Sequence, residues 1–196
     1  MLPTVMHLNR PVSHVHLPSA SSVAPAINEK EFKDSMASLA FSIAVVTARN
    51  GNEEIGRTVT SFMPLSAVPP RILISIDVRS RFIDLVGETK AFSISFLSAA
   101  HKEIGDAFAG KWAQTDRFAL ADWDIWPSGN RKLVDAVLSM DCELTASIDT
   151  GDHMLFVGTV VDSDGNGLLG HLIWKDRSYA TLKGAAQERE PEGSAD

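Results

Sequence analysis

The stretch from Gly56 to Arg81 constrains this chain more than any other. Thr58-Val59-Thr60-Ser61 is hydroxyl-rich and β-branched, and such residues favour a pleated backbone. Prolines then break the run at Met63-Pro64 and again at Val68-Pro69-Pro70, where fixed φ angles rule out a regular helix. An apolar strand resumes at Ile72–Ile76 and ends on Asp77-Val78-Arg79-Ser80-Arg81. One strand–loop–strand unit therefore gathers Thr58, Thr60, Ser61, Ser66 and the closing pair Arg79 and Arg81. Hydroxyls, loop N–H groups and guanidinium forks are what a bound phosphate needs. The same residues also suit an ordinary hairpin with polar decoration.

The rest of the chain reads as short strands punctuated by turns. Residues 1–27 carry Pro, Ser and His without periodicity and are expected to be a disordered leader. His14 and His16 lie in it, with no third ligand nearby to make a metal site. Asn28 and Glu31 have capping-box spacing, and Phe32, Met36, Leu39 and Ala40 follow on one helical face. Ile43–Ala48 is a β-branched run closed by the turn signal Asn50-Gly51-Asn52. Ser80 is placed to cap a short helix through Phe82, Leu85 and Val86, whose N-terminal N–H groups would face the ligand of Arg79 and Arg81. Ala91–Leu97 alternates as a half-buried strand, and Ser98 opens a helix that ends at Gly110. Residues 111–130 form an irregular loop whose tryptophans plug the core or line a cleft, the core being favoured. Met140–Ile148 alternates with Cys142 on the apolar face, a buried small hydrophobe rather than a nucleophile. Thr150-Gly151-Asp152 is a tight turn into the strand Met154–Val161, and short strands close the domain near residue 184. The acidic tail, 185–196, is expected to be frayed. Many short strands with peripheral helices imply a mainly β fold, though periodicity alone does not choose barrel over sandwich.

Bulk properties exclude several classes of function. A net charge of −7 argues against a nucleic-acid binder, which needs a clustered basic surface. An anionic ligand must then be held by local arginines. A single cysteine forbids an internal disulfide and fits a reducing cytoplasm. No apolar run is long enough to span a bilayer, and the N-terminal residues lack the continuous apolar core of a signal peptide. No Cys/His spacing marks a metal site. The expectation is a soluble cytoplasmic protein.

Three blocks, in order, resemble the flavin reductase-like family. They are Gly56–Phe62 with Pro64–Pro70 and Arg79-Ser80-Arg81; Gly151-Asp152-His153-Met154-Leu155-Phe156-Val157-Gly158; and Trp174-Lys175-Asp176-Arg177-Ser178-Tyr179, which resembles the family's closing Arg-x-Tyr. The resemblance covers roughly residues 31–183. It implies a split β-barrel, usually a homodimer with the cofactor near the subunit interface. The implied activity is reduction of FMN or FAD by NADH or NADPH, feeding a partner monooxygenase. By resemblance, Arg57, Thr58, Val59, Thr60, Ser61 and Ser66 belong to the flavin site, while Arg79, Ser80 and Arg81 hold the phosphate end. His153 lines the nicotinamide side, or else is a turn histidine satisfied by backbone. Arg57 stands where the family has Met or Phe, either adding a phosphate or nicotinamide contact or remaining solvated. Met63-Pro64-Leu65 also departs from the family's loop. Hydride transfer between stacked rings needs alignment more than acid–base side chains, so the lack of a catalytic triad fits. The rival class is a non-catalytic flavin or haem carrier on the same barrel.

Overall fold

The computed structural model describes residues 12–16, 24–112 and 116–182. Strand β1 (Ser13–His16) precedes helix α1 (Glu29–Ala37) and strands β2 (Phe41–Ser42), β3 (Ala44–Asn50), β4 (Glu53–Val59), β5 (Phe62–Ala67) and β6 (Pro70–Asp77). Helix α2 (Phe82–Thr89), strand β7 (Ala91–Phe96) and helix α3 (Lys102–Phe108) follow. Then come β8 (Trp123–Ile125), β9 (Arg131–Leu133), β10 (Leu138–Asp149), β11 (His153–Gly165), β12 (Leu172–Lys175) and β13 (Ser178–Thr181).

The main sheet runs β4-β3-β7-β10-β11-β6-β5, antiparallel throughout, with β1 added beside β10. Its terminal strands β4 and β5 are consecutive in the chain, joined only by Thr60-Ser61. The sheet therefore curls until its two ends meet. An edge-to-face contact between Phe62 on β5 and Phe96 on β7, 4.9 Å between centroids, crosses the interior. This is the split barrel. Ala44, Val46, Ala48, Val59, Ile72, Ile74, Ile76, Phe92, Ile94 and Phe156 fill it, with α2 adding Phe82, Leu85 and Val86. A second cluster of Ile43, Val45, Leu97, Ile104, Phe108 and Leu172 packs the outer face beneath α3 and β12. Alternate residues of β3 thus feed two cores, which is why its opening run Ala44-Val45-Val46 is continuously apolar.

Five expectations need correction. β7 is buried on both faces, not half-buried: Ser93 and Ser95 are each 1% exposed. The β8–β9 hairpin and β10 satisfy them, since Trp126 Nε1 donates to Ser93 Oγ, and Leu133 N and Ser139 Oγ donate to Ser95 Oγ. Asp141, on the nominally polar face of β10, is likewise buried and accepts from Ser128 Oγ at 2.7 Å. Residues 111–130 are partly regular, and Trp126 does plug the core, while Trp123 packs edge-on against Phe108 and Phe118. Helix α1 has the expected capping box but no buried residue, leaving Phe32, Met36 and Leu39 exposed. The expected leader also contributes structure, because β1 pairs parallel with β10 from Ser13↔Ala146 to His16↔Asp149. The remaining leader, save residues 24–27, and the expected tail lie outside the described residues.

Candidate active site

β6 and β11 run antiparallel and place His153 opposite Asp77. At this end of the barrel two loops meet, the arginine loop 77–81 and the turn 149–153. Val78 N donates to Asp152 O and binds them together. Ser75 N donates to Ser61 O, and Ser61 Oγ donates back to Ser75 O, so the β4–β5 link is held two residues from Asp77. The structure thus brings Ser61, Arg79, Ser80, Arg81 and His153 to one end of one sheet.

The arginine loop is built from its own polar groups. Asp77 accepts from Arg79 N, Nε and Nη2, which holds its carboxyl far below the usual carboxylate range, with nearby His153 a minor cause. Ser80 N donates to Asp77 O; Ser80 in turn receives Phe82 N on its hydroxyl and Ile83 N on its carbonyl. Ser80 therefore caps α2 in effect, as its sequence position implies, and is itself buried. A consequence opposes one expectation. The amides of Arg79, Ser80, Phe82 and Ile83 are spent within the loop, so the first two N–H groups of α2 are not free for an anion and the exposed guanidinium heads are the main donors.

Both heads are already paired. Arg79 forks onto Asp77, and Arg81 Nη2 meets Glu53 Oε1 at 2.5 Å. Yet their side chains are 87% and 75% exposed, and ion pairs so exposed are weak. An incoming phosphate can displace or bridge them at little cost. The donor set therefore fits a phosphorylated cofactor.

The turn is equally specific. Gly151 has φ +98, a backbone state that L side chains rarely adopt, and its N–H donates to Asp149 Oδ1 at 2.8 Å. Thr150 donates both N–H and Oγ1 to His153 O. The His153 ring is 44% exposed, with Nδ1 3.2 Å from Asp152 Oδ1. Its backbone is fixed while its ring faces outward between two acidic groups.

The other candidate residues fall elsewhere. Val59 lies in the inner core and Arg57, two residues earlier on β4, shares its face. Thr58 lies on the opposite face and donates to Gly105 O of α3 at 2.8 Å. Thr60 is half-buried in the link to β5. Ser66 pairs with Arg71 at the far end of the hairpin and donates to Pro69 O. From Arg71 to Asp77 is about 20 Å of extended strand, so within one chain Ser66 is remote from the arginine loop. The hydroxyls of Thr58, Ser61 and Ser66 have already given their protons to backbone carbonyls. They remain able to accept. Sequence reading missed Glu53, Asp77, Asp149 and Thr150 as site builders. Only Asp77-x-Arg79 carried a local signal, an acid two residues before a base at a strand end.

The Flavin reductase like domain matches residues 36–183, most of the chain. The chain belongs to the flavin reductase-like family. A relative in Ancylobacter novellus, named FMN reductase (NADH) RutF, is 28% identical over 170 residues, covering 86% of this chain and 93% of that protein. Among solved structures, a Haemophilus somnus 129PT protein described as a flavin reductase is 26% identical with a TM-score of 0.76, covering 80% of this chain and all of that one, 100%. The styrene monooxygenase flavin reductase of Pseudomonas putida S12 shares the fold, with 24% identity, a TM-score of 0.69 and coverage of 78% and 97%. In this flavin reductase-like protein the arginine loop and the Gly151–His153 turn, two of the family's blocks, are the parts that meet. The third block is architectural here: Tyr179 donates its hydroxyl to Asp106 Oδ1 at 2.6 Å, and Arg177 pairs with Asp34.

Proposed function

We propose that this protein is an NADH:flavin oxidoreductase that reduces free FMN, taking up oxidised flavin and releasing the reduced form to a partner monooxygenase. The observation that carries the reading is the junction of arginine loop and His153 turn in a chain of this family. The name of the Ancylobacter relative supports FMN and NADH as the pair. Bound flavin supplies the ring that accepts hydride. Everything else is the work of the chain's own residues.

Arg79 and Arg81 hold the phosphate end, exchanging Asp77 and Glu53 for it, with Ser80 keeping the loop rigid beneath them. Weak initial pairing suits a site that must release its flavin after each turnover. Ser61, with its proton committed to Ser75 O, accepts from a flavin N–H rather than donating. Arg57, Thr58, Val59, Thr60 and Ser66 belong to the same site in this reading. Thr58 acts through the strand it pins to α3, and Ser66 acts from a second copy. His153 lies on the nicotinamide side. Its fixed backbone and half-exposed ring orient the donor, and direct hydride transfer asks no proton of it.

The working unit is a homodimer. Phe32 and Met36 on α1, Leu39 just after it, and Met63, Leu65 and Val68 on the β5–β6 hairpin are exposed apolar side chains, 93% exposed in the case of Val68. A second copy would cover them. Among the described residues no helix is long and apolar enough to cross a membrane, and a cytoplasmic setting accords with one buried free cysteine. The test is NADH oxidation followed at 340 nm with purified protein and added FMN, FAD or riboflavin. Flavin-dependent oxidation is expected. Tight flavin binding without oxidation would instead make the protein a carrier.

A further inference from the structure

Strand β1 ends beside the turn that carries His153. β7 covers one edge of β10 only along Leu138–Glu143. The same edge from Ala146 to Asp149 is taken by β1, in parallel register. Val12, just before it, packs against the inner core. His14 Nδ1 and Ser147 Oγ lie 2.8 Å apart. At the strand's end His16 Nδ1 donates to Asp149 Oδ2 at 3.2 Å. Asp149 uses its other oxygen, Oδ1, to receive the Gly151 N–H. One carboxylate thus joins the leader to the left-handed glycine of the turn. Thr150, the residue between them, clamps the His153 carbonyl twice.

We propose that His16 is a positioning residue: docking of the N-terminal strand fixes Asp149, and through it the turn that presents His153 to the nicotinamide. The proposal rests on the reading of His153 given above. Its physical basis is a choice open to Asp149. The side chain is 29% exposed and, without His16, is free to turn to solvent. It would then leave Gly151, whose backbone has many alternatives, without its acceptor. The pairing of β1 and the Gly151 bond therefore reinforce one another. Gly151 N–H is the larger cause, and His16 the second, of an Asp149 carboxyl held below its ordinary range. No part of the link touches the arginine loop's guanidinium groups, so flavin affinity should not follow it.

The test uses the full chain with His16→Ala, His16→Asn and a truncation lacking residues 1–16. His16 is exposed, so its point variants should fold, which a thermal melt checks. Asparagine places an N–H close to where His16 has Nδ1 and should restore the link. Two quantities are measured: amide exchange of residues 149–153 without ligands, and steady-state kinetics with NADH and FMN. His16→Ala and the truncation are expected to speed exchange in 149–153 and raise the KM for NADH about two- to fivefold, the range an exposed charge-assisted pair supports. Turnover and FMN affinity should hold, and His16→Asn should stay near wild type. Unchanged exchange in both His16→Ala and the truncation would overturn the proposal. So would faster exchange without a KM change, provided His153→Ala does raise that KM. If His153→Ala leaves NADH kinetics untouched, it is the nicotinamide reading that fails, and exchange alone then decides for or against the strand's hold on the turn.

Discussion

Replacing Arg81 by alanine probes the phosphate assignment and its energetics together. A charge-assisted hydrogen bond to phosphate contributes about 1.5–3 kcal/mol. Arg81 is not free beforehand, however, because it must give up Glu53. Both side chains of that pair are well exposed, 75% and 45%, so the pair returns only about 0.5 kcal/mol. The difference, about 1–2.5 kcal/mol, corresponds to a loss of roughly five- to seventyfold in FMN affinity for Arg81→Ala. Glu53→Gln removes the competitor and an acid near the phosphate, and should tighten FMN by up to about fivefold. Riboflavin, which has no phosphate, should respond to neither change. Fluorescence titration of FMN and riboflavin at fixed ionic strength measures all of these. Equal losses for the two flavins in Arg81→Ala would make the arginine architectural. Weaker FMN binding in Glu53→Gln would show that the pair builds the site instead of competing for it.

Three further outcomes are expected. His153→Ala should raise the KM for NADH or slow hydride transfer about tenfold in stopped-flow flavin reduction, with FMN affinity kept; a lower melting temperature with unchanged kinetics would mark a purely structural histidine. Gly158→Ala should destabilise the barrel by about 1–3 kcal/mol in denaturant titration, because the new Cβ would lie 2.6 Å from Phe92 Cζ and 2.9 Å from Cys142 Cβ at the centre of the core; an unchanged midpoint would mean the ring shifts freely. Burial raises the Asp141 carboxyl above its ordinary value of 3.8, so the folded chain keeps this proton to higher pH than the unfolded chain and stability falls as pH rises through that window. Asp141→Asn should flatten that part of the pH profile, and a profile unchanged from the parent would assign the slope to other groups.

What local sequence determined is what short-range physics controls. The Asn28–Glu31 capping box, the Asn50–Asn52 turn, the Gly151 turn and the burial of Cys142 all follow from residues within a few positions of one another. Strand period and turn chemistry are local, so these elements were legible, and the three spaced blocks named the family. The partners of polar side chains were not legible. Ser93 and Ser95 read as solvent-facing until Trp126, Leu133 and Ser139, at least 33 residues away, arrive to satisfy them. Thr58, Ser61 and Ser66 read as free hydroxyls, and each is committed to a backbone carbonyl. Arg79 and Arg81 read alike, yet one pairs within its own loop and the other with a strand 28 residues earlier. The leader lacks periodicity because a four-residue strand buries no face of its own, and only the uncovered edge of β10 gives it a place. Hydrogen-bond partners and strand edges come from chain closure over long sequence separations, which a pattern of neighbours does not encode.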